Sequence, residues 1–293
     1  MLVAGSANLD FVVRAARIPA PGETVLGRDL ATHPGGKGAN QAVACARAGG
    51  APTEMLLALG DDAFAAPLEA SLQGAGVRLH LRRSAGVATG TAFITVADGG
   101  ENAITVAPGA NATLRPGDLP PLAGFGHLLM QLESPLDAVT AWARQARDQG
   151  VSSVLNAAPA QALPAALREA LDVLVVNEGE LDQLVGPAGT LDERLRRAGV
   201  PAVVVTLGAR GCLALTPEGR FEQAGFAVSV VDTTGAGDTF CGTLVAARAR
   251  GLGWPAALRE AAAAAALACT RPGAQSSIPT RDAVLAWLAD QPA

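Results

Sequence analysis

Short apolar runs, several rich in β-branched residues, alternate along this chain with longer segments of helical composition. No other feature restricts the fold as much. Residues 2–5, 55–59, 127–131, 151–155, 173–176 and 203–206 read as strands, and 38–48, 65–74, 135–149, 191–198 and 255–269 as helices. Strands that are apolar throughout need cover on both faces, and strands separated by helices join through crossover connections into a parallel sheet. The expectation is an α/β three-layer sandwich, with a mostly parallel central sheet and helices on both faces.

Two regions depart from that rhythm. Residues 11–34 are rich in Pro, Gly and Thr, with extended pieces such as Glu23-Thr-Val-Leu26. Residues 89–108 alternate with a period of two around Asp98-Gly-Gly100, a hairpin signal. Antiparallel strands from both regions are expected to form a small β lid on one domain spanning residues 1–293.

Composition excludes several function classes. A net charge of −5 with no basic block argues against a nucleic-acid surface. No apolar run approaches the roughly 20 residues that span a bilayer. The opening Met-Leu-Val-Ala-Gly has no basic region and reads as a buried strand, not a signal peptide, so a cytoplasmic protein is expected. Cys45, Cys212, Cys241 and Cys269 form no CxxC pair and read as reduced core residues; His33, His80 and His127 are too scattered for a zinc cluster.

Two stretches carry most of the candidate chemistry. Asp232-Thr-Thr-Gly-Ala-Gly-Asp-Thr-Phe240 lies between a β-rich segment, 225–231, and a helical one, 239–250. Gly235 and Gly237 therefore sit in a strand-to-helix turn, where backbone N–H groups and the helix N-terminus together favour an anion. Asp238 at its mouth is either a helix cap or a proton-accepting base, and the residues leave both open. The second stretch is His33-Pro-Gly-Gly-Lys-Gly-Ala-Asn-Gln41. Ala31 and Gly38 rule out a Walker A loop, but Gly35, Gly36 and Gly38 permit close backbone approach, and Lys37 and Asn40 offer donors. Lys37 is the one lysine among 22 basic residues, which suggests a site that needs a compact ammonium.

Further candidates each follow a predicted strand. Asn8 and Asp10 point the same way in an extended chain and suit sugar hydroxyls, with an Asx turn as the plain alternative. Glu133 ends another strand at the same sheet edge. Asn177 and Glu180 are three apart at a helix start, where Glu180 could reach a metal-bound water. Thr206-Leu-Gly-Ala-Arg-Gly211 is a glycine turn suited to nucleotide contacts. Phe240 breaks the GxGxxG pattern that begins at Gly235, so a dinucleotide fold has little support.

With these residues in place, the chain resembles the ribokinase-like carbohydrate kinase family over nearly its whole length. Gly35-Gly-Lys-Gly-Ala-Asn-Gln-Ala-Val43 is similar to the family's N-terminal signature and Asp232–Phe240 to its C-terminal one. Pro21-Gly-Glu-Thr24, Gly109-Ala-Asn111, Leu129-Met-Gln-Leu-Glu-Ser134 and Gly273-Ala-Gln275 add to the likeness. The resemblance implies ATP-dependent phosphorylation of a ribose 5-hydroxyl. Asp238 would be the base, and the N–H groups of Gly235, Ala236 and Gly237 an anion hole. Asn8, Asp10, Gly36, Lys37, Gly38, Asn40, Glu133 and Asp238 would hold the sugar. Asn177, Thr206, Leu207, Gly208, Ala209, Arg210, Gly211, Gly237 and Asp238 would lie along the nucleotide. At a position where the family often has an adenine-side Asn, this chain has Ala262. Glu180 would serve the Mg²⁺–phosphate region, and a loop with Asp232, Thr234, Ala268, Arg271, Gly273 and Ser277 would hold K⁺. A homodimer through the lid is also implied. The alternatives are a sibling kinase acting on fructose, a deoxy sugar or a nucleoside, and a non-catalytic sensor on the same fold.

Overall fold

The computed structural model describes residues 1–291. The chain opens with β1 (Leu2–Ala4), leaves the main sheet through β2 (Asn8–Ala15) and β3 (Gly27–Gly35), and returns by α1 (Lys37–Arg47) to β4 (Glu54–Gly60), α2 (Ala65–Gly74) and β5 (Arg78–Ser84). A hairpin of β6 (Gly90–Ala97) and β7 (Asn102–Ala107) follows. Then come β8 (His127–Gln131), α3 (Leu136–Asp148), β9 (Ser152–Asn156), α4 (Ala165–Ala170), β10 (Val173–Asn177), α5 (Glu178–Val185), α6 (Leu191–Arg197) and β11 (Ala202–Thr206). The hairpin β12 (Gly211–Thr216) and β13 (Gly219–Ala224) precedes α7 (Ala236–Ala249), α8 (Trp254–Ala268) and α9 (Arg281–Ala289).

Nine strands form the main sheet in the order β13-β12-β11-β10-β9-β8-β1-β4-β5. Pairing is parallel from β11 to β5 and antiparallel at β12 and β13. Four strands form the small sheet, β3-β2-β6-β7; its two hairpins are antiparallel as expected, but β2 and β6, which join them, run parallel. The family of sandwich expected from the alternation is the one observed.

Alternation within the strands explains the two layers of core. Val3, Met55, Leu57, Val175 and Val204 pack against α1, α2, α7 and α8 on one face. Leu2, Leu56, Leu174, Val203 and Val205 pack against α3 to α6 on the other. No helix among the described residues is long and apolar enough to cross a membrane.

Several expectations need correction. Residues 225–231 form no strand: Val230 and Val231 are 62% and 63% exposed, and the N–H groups of Val231 and Asp232 donate to Cys269 O at 2.8 and 3.2 Å. β13 takes the sheet edge instead, so the C-terminal signature leaves a loop anchored on α8, not a strand end. The Glu23–Leu26 piece is also irregular, because Glu23 accepts from Arg17 and from the Ala20 N–H and Leu26 is left in solvent. β5, an edge strand blunted by Arg78, Arg82 and Arg83, and α9 were not foreseen.

Close contact between α1 and α7 brings the two signature segments together. A Cβ on Gly242 would lie 2.5 Å from Gln41 O and 2.6 Å from Ala44 Cβ. Helix propensity alone would favour alanine by up to about 1 kcal/mol. Overpacking at a backbone oxygen costs about 1–3 kcal/mol and wins. Gly242→Ala should therefore lower Tm in a thermal melt; an unchanged or raised Tm would show that the two helices part freely.

Candidate active site

The strand order turns back at β1: the chain builds β4 and β5 on one side of it and β8 to β11 on the other. In open α/β sheets a crevice opens beyond the strand ends at such a point. Ser6 follows β1, Glu133 follows β8, and Asn156, Asn177 and Thr206 end β9, β10 and β11. The N-termini of α1 and α7 enter the same crevice. A cavity of about 150 Å³ there is lined by Lys37, Asn177, Glu180, Thr206, Gly235, Gly237 and Asp238, among others. A second, of about 430 Å³, borders Asn8, Asn111 and Glu133.

Asp238 does not cap α7. The N-cap is Gly235, in the left-handed region at φ 74°, and no side chain satisfies the helix start. The Asp238 carboxylate instead accepts from Asn40 Nδ2 and Gln41 Nε2, both at 2.9 Å. It is buried, with 8% exposure. Burial pushes its pKa above the usual carboxylate value, Glu133 adds to the rise, and Lys37 and the two amides pull against it. The fold thus makes this carboxyl a stronger base than an exposed one.

Gly237 and Asp238 offer N–H groups with no acceptor among the described residues, and a Cβ on Gly237 would meet open space. Ala236 differs from the expected anion hole, since its N–H donates to Thr233 O at 3.2 Å. Gly235 packs on the loop after α8, where its Cβ would fall 3.0 Å from Ala274 Cα.

Lys37 faces this centre from the first turn of α1. Burial alone would lower its pKa, but the carboxylates of Asp238, Glu133 and Glu180 outweigh that and raise it. Glu133 Oε2 accepts from Ser6 Oγ at 2.6 Å and from the Lys37 N–H at 3.1 Å. Gly36 and Gly38 press the loop against residues 5–8: a Cβ on Gly36 would lie 2.7 Å from Asn8 N. Asn8 and Asp10 share one face of β2. Asn111 Nδ2 donates to Asn8 Oδ1 at 2.8 Å, so Asn111 sets the orientation of Asn8.

Asp10 is 9% exposed, and its carboxylate has no hydrogen-bond donor among the described residues. Burial first, then Glu133 and Asp238, pushes its pKa up to about 7. The unfolded chain releases this proton near pH 4 and the folded one near 7, so stability present at low pH is lost as pH rises across that window. The apo protein should melt at lower temperature at pH 8 than at pH 5.5, and Asp10→Asn should remove much of the difference. An equal fall in both proteins would show that Asp10 does not carry it.

On the far side, Asn177 and Glu180 cap α5 reciprocally: Asn177 Oδ1 accepts from the Glu180 N–H and Glu180 Oε2 from the Asn177 N–H, both at 2.8 Å. Glu180 Oε1 has no hydrogen-bond donor among the described residues, and burial raises the Glu180 pKa. Leu207, Gly208, Ala209, Arg210 and Gly211 form the turn from β11 into β12, tied to α5 by an Arg210–Glu178 ion pair at 2.5 Å. Ala262 packs into the core of α8 and does not line the cavity.

Asp232 organises the loop below Gly235. Its Oδ1 accepts from the N–H and hydroxyl of Thr234 at 2.9 and 2.7 Å, and its Oδ2 from the Gly273 N–H at 2.8 Å. Burial acts to raise its pKa, but these donors prevail and lower it. Ala268 O accepts the Arg271 N–H, and the Ser277 hydroxyl donates to Ala274 O. Gln41, Gln131, Asn156, Ser6 and Asn111 also belong to the site, although residue type and local pattern mark none of them; their partners are set by tertiary contact alone.

Residues 1–281 match the pfkB family of carbohydrate kinases. A ribokinase of Haemophilus influenzae is 38% identical over 301 residues, covering 98% of each chain. A deoxyribokinase of Salmonella typhi is 32% identical, covering 95% of each. The structure of Arabidopsis thaliana ribokinase complexed with ribose and ATP superposes with a TM-score of 0.90 at 33% identity, covering 99% of this chain and 98% of that one.

Proposed function

The chain belongs to the pfkB family of carbohydrate kinases, and on that premise we propose that it phosphorylates D-ribose with ATP at the 5-hydroxyl. The observation that carries the reading is Asp238: a buried carboxylate beside Lys37, with unpaired helix N–H groups in front and the Asn8, Asp10 and Glu133 side chains on the sugar side.

Asp238 accepts the hydroxyl proton as the O5–P bond forms and the bond from phosphorus to ADP breaks. Phosphoryl transfer asks mainly for alignment and for compensation of charge on the phosphoryl oxygens. The N–H groups of Gly235 and Gly237 and the Lys37 ammonium supply that compensation, and Ala236 joins them once its N–H leaves Thr233 O. Asn8, Asp10, Gly36, Gly38, Asn40 and Glu133 hold the sugar, and Asn177, Thr206 and the 207–211 turn lie along the nucleotide. The small sheet acts as a lid on one kinase domain and excludes water. With Ala262 buried, the adenine end relies on packing.

Two ions fit the donors present. Glu180 keeps one carboxylate oxygen without a donor among the described residues, suited to the water-mediated hold that Mg²⁺ takes, and the ion would offset charge on the phosphates. The K⁺ loop would hold its ion through backbone carbonyls and Asp232 Oδ2, which accepts only the Gly273 N–H and keeps a lone pair free. Its influence on the reaction would pass through Ala274 to Gly235.

We further read the molecule as a cytoplasmic homodimer. Ile104 and Val106, 55% and 42% exposed, share the lid face that carries Asp10 through the pairs Asp10–Ala92 and Ala92–Val106. A second copy would cover them.

An ADP-release assay across pentoses, hexoses and nucleosides, in K⁺ and in Na⁺, tests the assignment. D-ribose is expected to give the highest kcat/KM, with a lower rate in Na⁺. A preference for 2-deoxyribose would move the chain to the sibling reading that the deoxyribokinase relative supports.

A further inference from the structure

Beneath Asp238 lies a chain of buried amides that the reaction as described does not use. Gln41 and Gln131 are wholly buried. Gln41 Nε2 donates to Asp238 Oδ1 at 2.9 Å and to Asn156 Oδ1 at 3.0 Å, while Gln41 Oε1 accepts from Gln131 Nε2 at 2.6 Å. The orientation of these amides is fixed at one end by a backbone group. Asn156 Nδ2 donates to Val175 O at 3.1 Å, and a carbonyl can only accept. Asn156 must therefore turn its oxygen toward Gln41. Gln41 in turn must offer its NH₂ to Asn156 and Asp238 and its oxygen to Gln131. Both Gln41 hydrogens are committed, and a flip would set its oxygen against the Asp238 carboxylate.

Resting on the proposed kinase reaction, we propose that Gln41 is a positioning residue. It locks Asp238 Oδ1 so that Oδ2, whose protein partner is the sugar-side Asn40, is the oxygen that takes the hydroxyl proton. Gln131 and Asn156 hold Gln41 in the required orientation. Gln41 acts through Asp238 and touches no substrate. It also keeps Asp238 ionised in a site where Glu133, Glu180 and Asp10 face it as carboxyls, Lys37 as the counter-charge and Cys241 as a neutral thiol.

The test is the pH dependence of kcat, which reports the bound complex, together with a ¹³C NMR titration of the Asp238 carboxyl in protein carrying ¹³Cγ-aspartate, assigned by loss of the signal in Asp238→Asn. Gln41→Met keeps the length and removes the donor. The acidic limb of kcat and the NMR midpoint should both move up by about one to two pH units, as loss of a hydrogen bond to an ionised group predicts, with little change in sugar KM. Gln131→Met leaves the donor but frees its orientation, and should move both the same way by less. It serves alone if Gln41→Met does not fold. A kcat lowered equally at every pH with an unmoved midpoint would overturn the inference and leave Gln41 as packing. Wild-type protein that turns over no sugar, with the NMR shift intact, would overturn the kinase reading and not the positioning.

Discussion

Asp238→Asn lowers kcat by about 10²–10⁴ at neutral pH while sugar KM changes little, because a general base contributes on that scale and the amide keeps the shape of the carboxyl. Asparagine still meets Asn40 and Gln41, but its NH₂ would face one of their donors, so a small loss of stability accompanies the loss of turnover. Steady-state kinetics with a melt as control checks both. A variant that keeps near-normal kcat would return Asp238 to the role of orienting Asn40. The fold already removes the other plain role, since Gly235 caps the helix.

Lys37→Met is expected to have the second largest effect. Three carboxylates, Asp238, Glu133 and Glu180, act on this one ammonium in a buried site. Without it Asp238 becomes harder to ionise and the phosphoryl group loses a cation, so kcat/KM should fall by roughly 10²–10³. Its raised pKa keeps Lys37 charged throughout the neutral range, so the pH dependence comes from its partners. At pH 8 the carboxylates left ionised repel one another, on the order of the 3–5 kcal/mol for a buried charge stripped of its partner. As pH falls, Asp238 and Glu180, whose pKa values are raised by burial, take up protons earlier than exposed carboxyls and the penalty shrinks. The variant's Tm deficit should therefore be larger at pH 8 than at pH 5. Lys37→Arg tests the shape requirement: a planar guanidinium does not fit a pocket built for an ammonium, and sugar KM should rise. An unchanged KM would mean that any cation serves.

The parallel layers were legible because burial on both faces writes β-branched runs into β10 and β11, and the hairpin of β6 and β7 because Asp98-Gly-Gly100 turns it. Segment 225–231 misled because its Val-rich alternation has the composition of a strand but no partner to pair with; whether an apolar run joins a sheet depends on a free edge, which β13 had taken. In the site, the motifs marked Asp238, Lys37 and Asn40, whose chemistry is visible in residue type. Gln41 carries no such mark. Its position beside Asp238 arises from the close α1–α7 crossing at Gly242, which no local pattern records. The same is true of the pKa of Asp10, pushed up to about 7 by burial first and then by Glu133 and Asp238, each more than a hundred residues away in sequence.

The most direct test of the account is the identity of the product. Purified protein with D-ribose, ATP, Mg²⁺ and K⁺ should yield one phosphomonoester whose ³¹P signal correlates with the protons on C5, in amounts equal to ADP formed. A phosphate correlated with another carbon, or ADP released without a sugar phosphate, would contradict it.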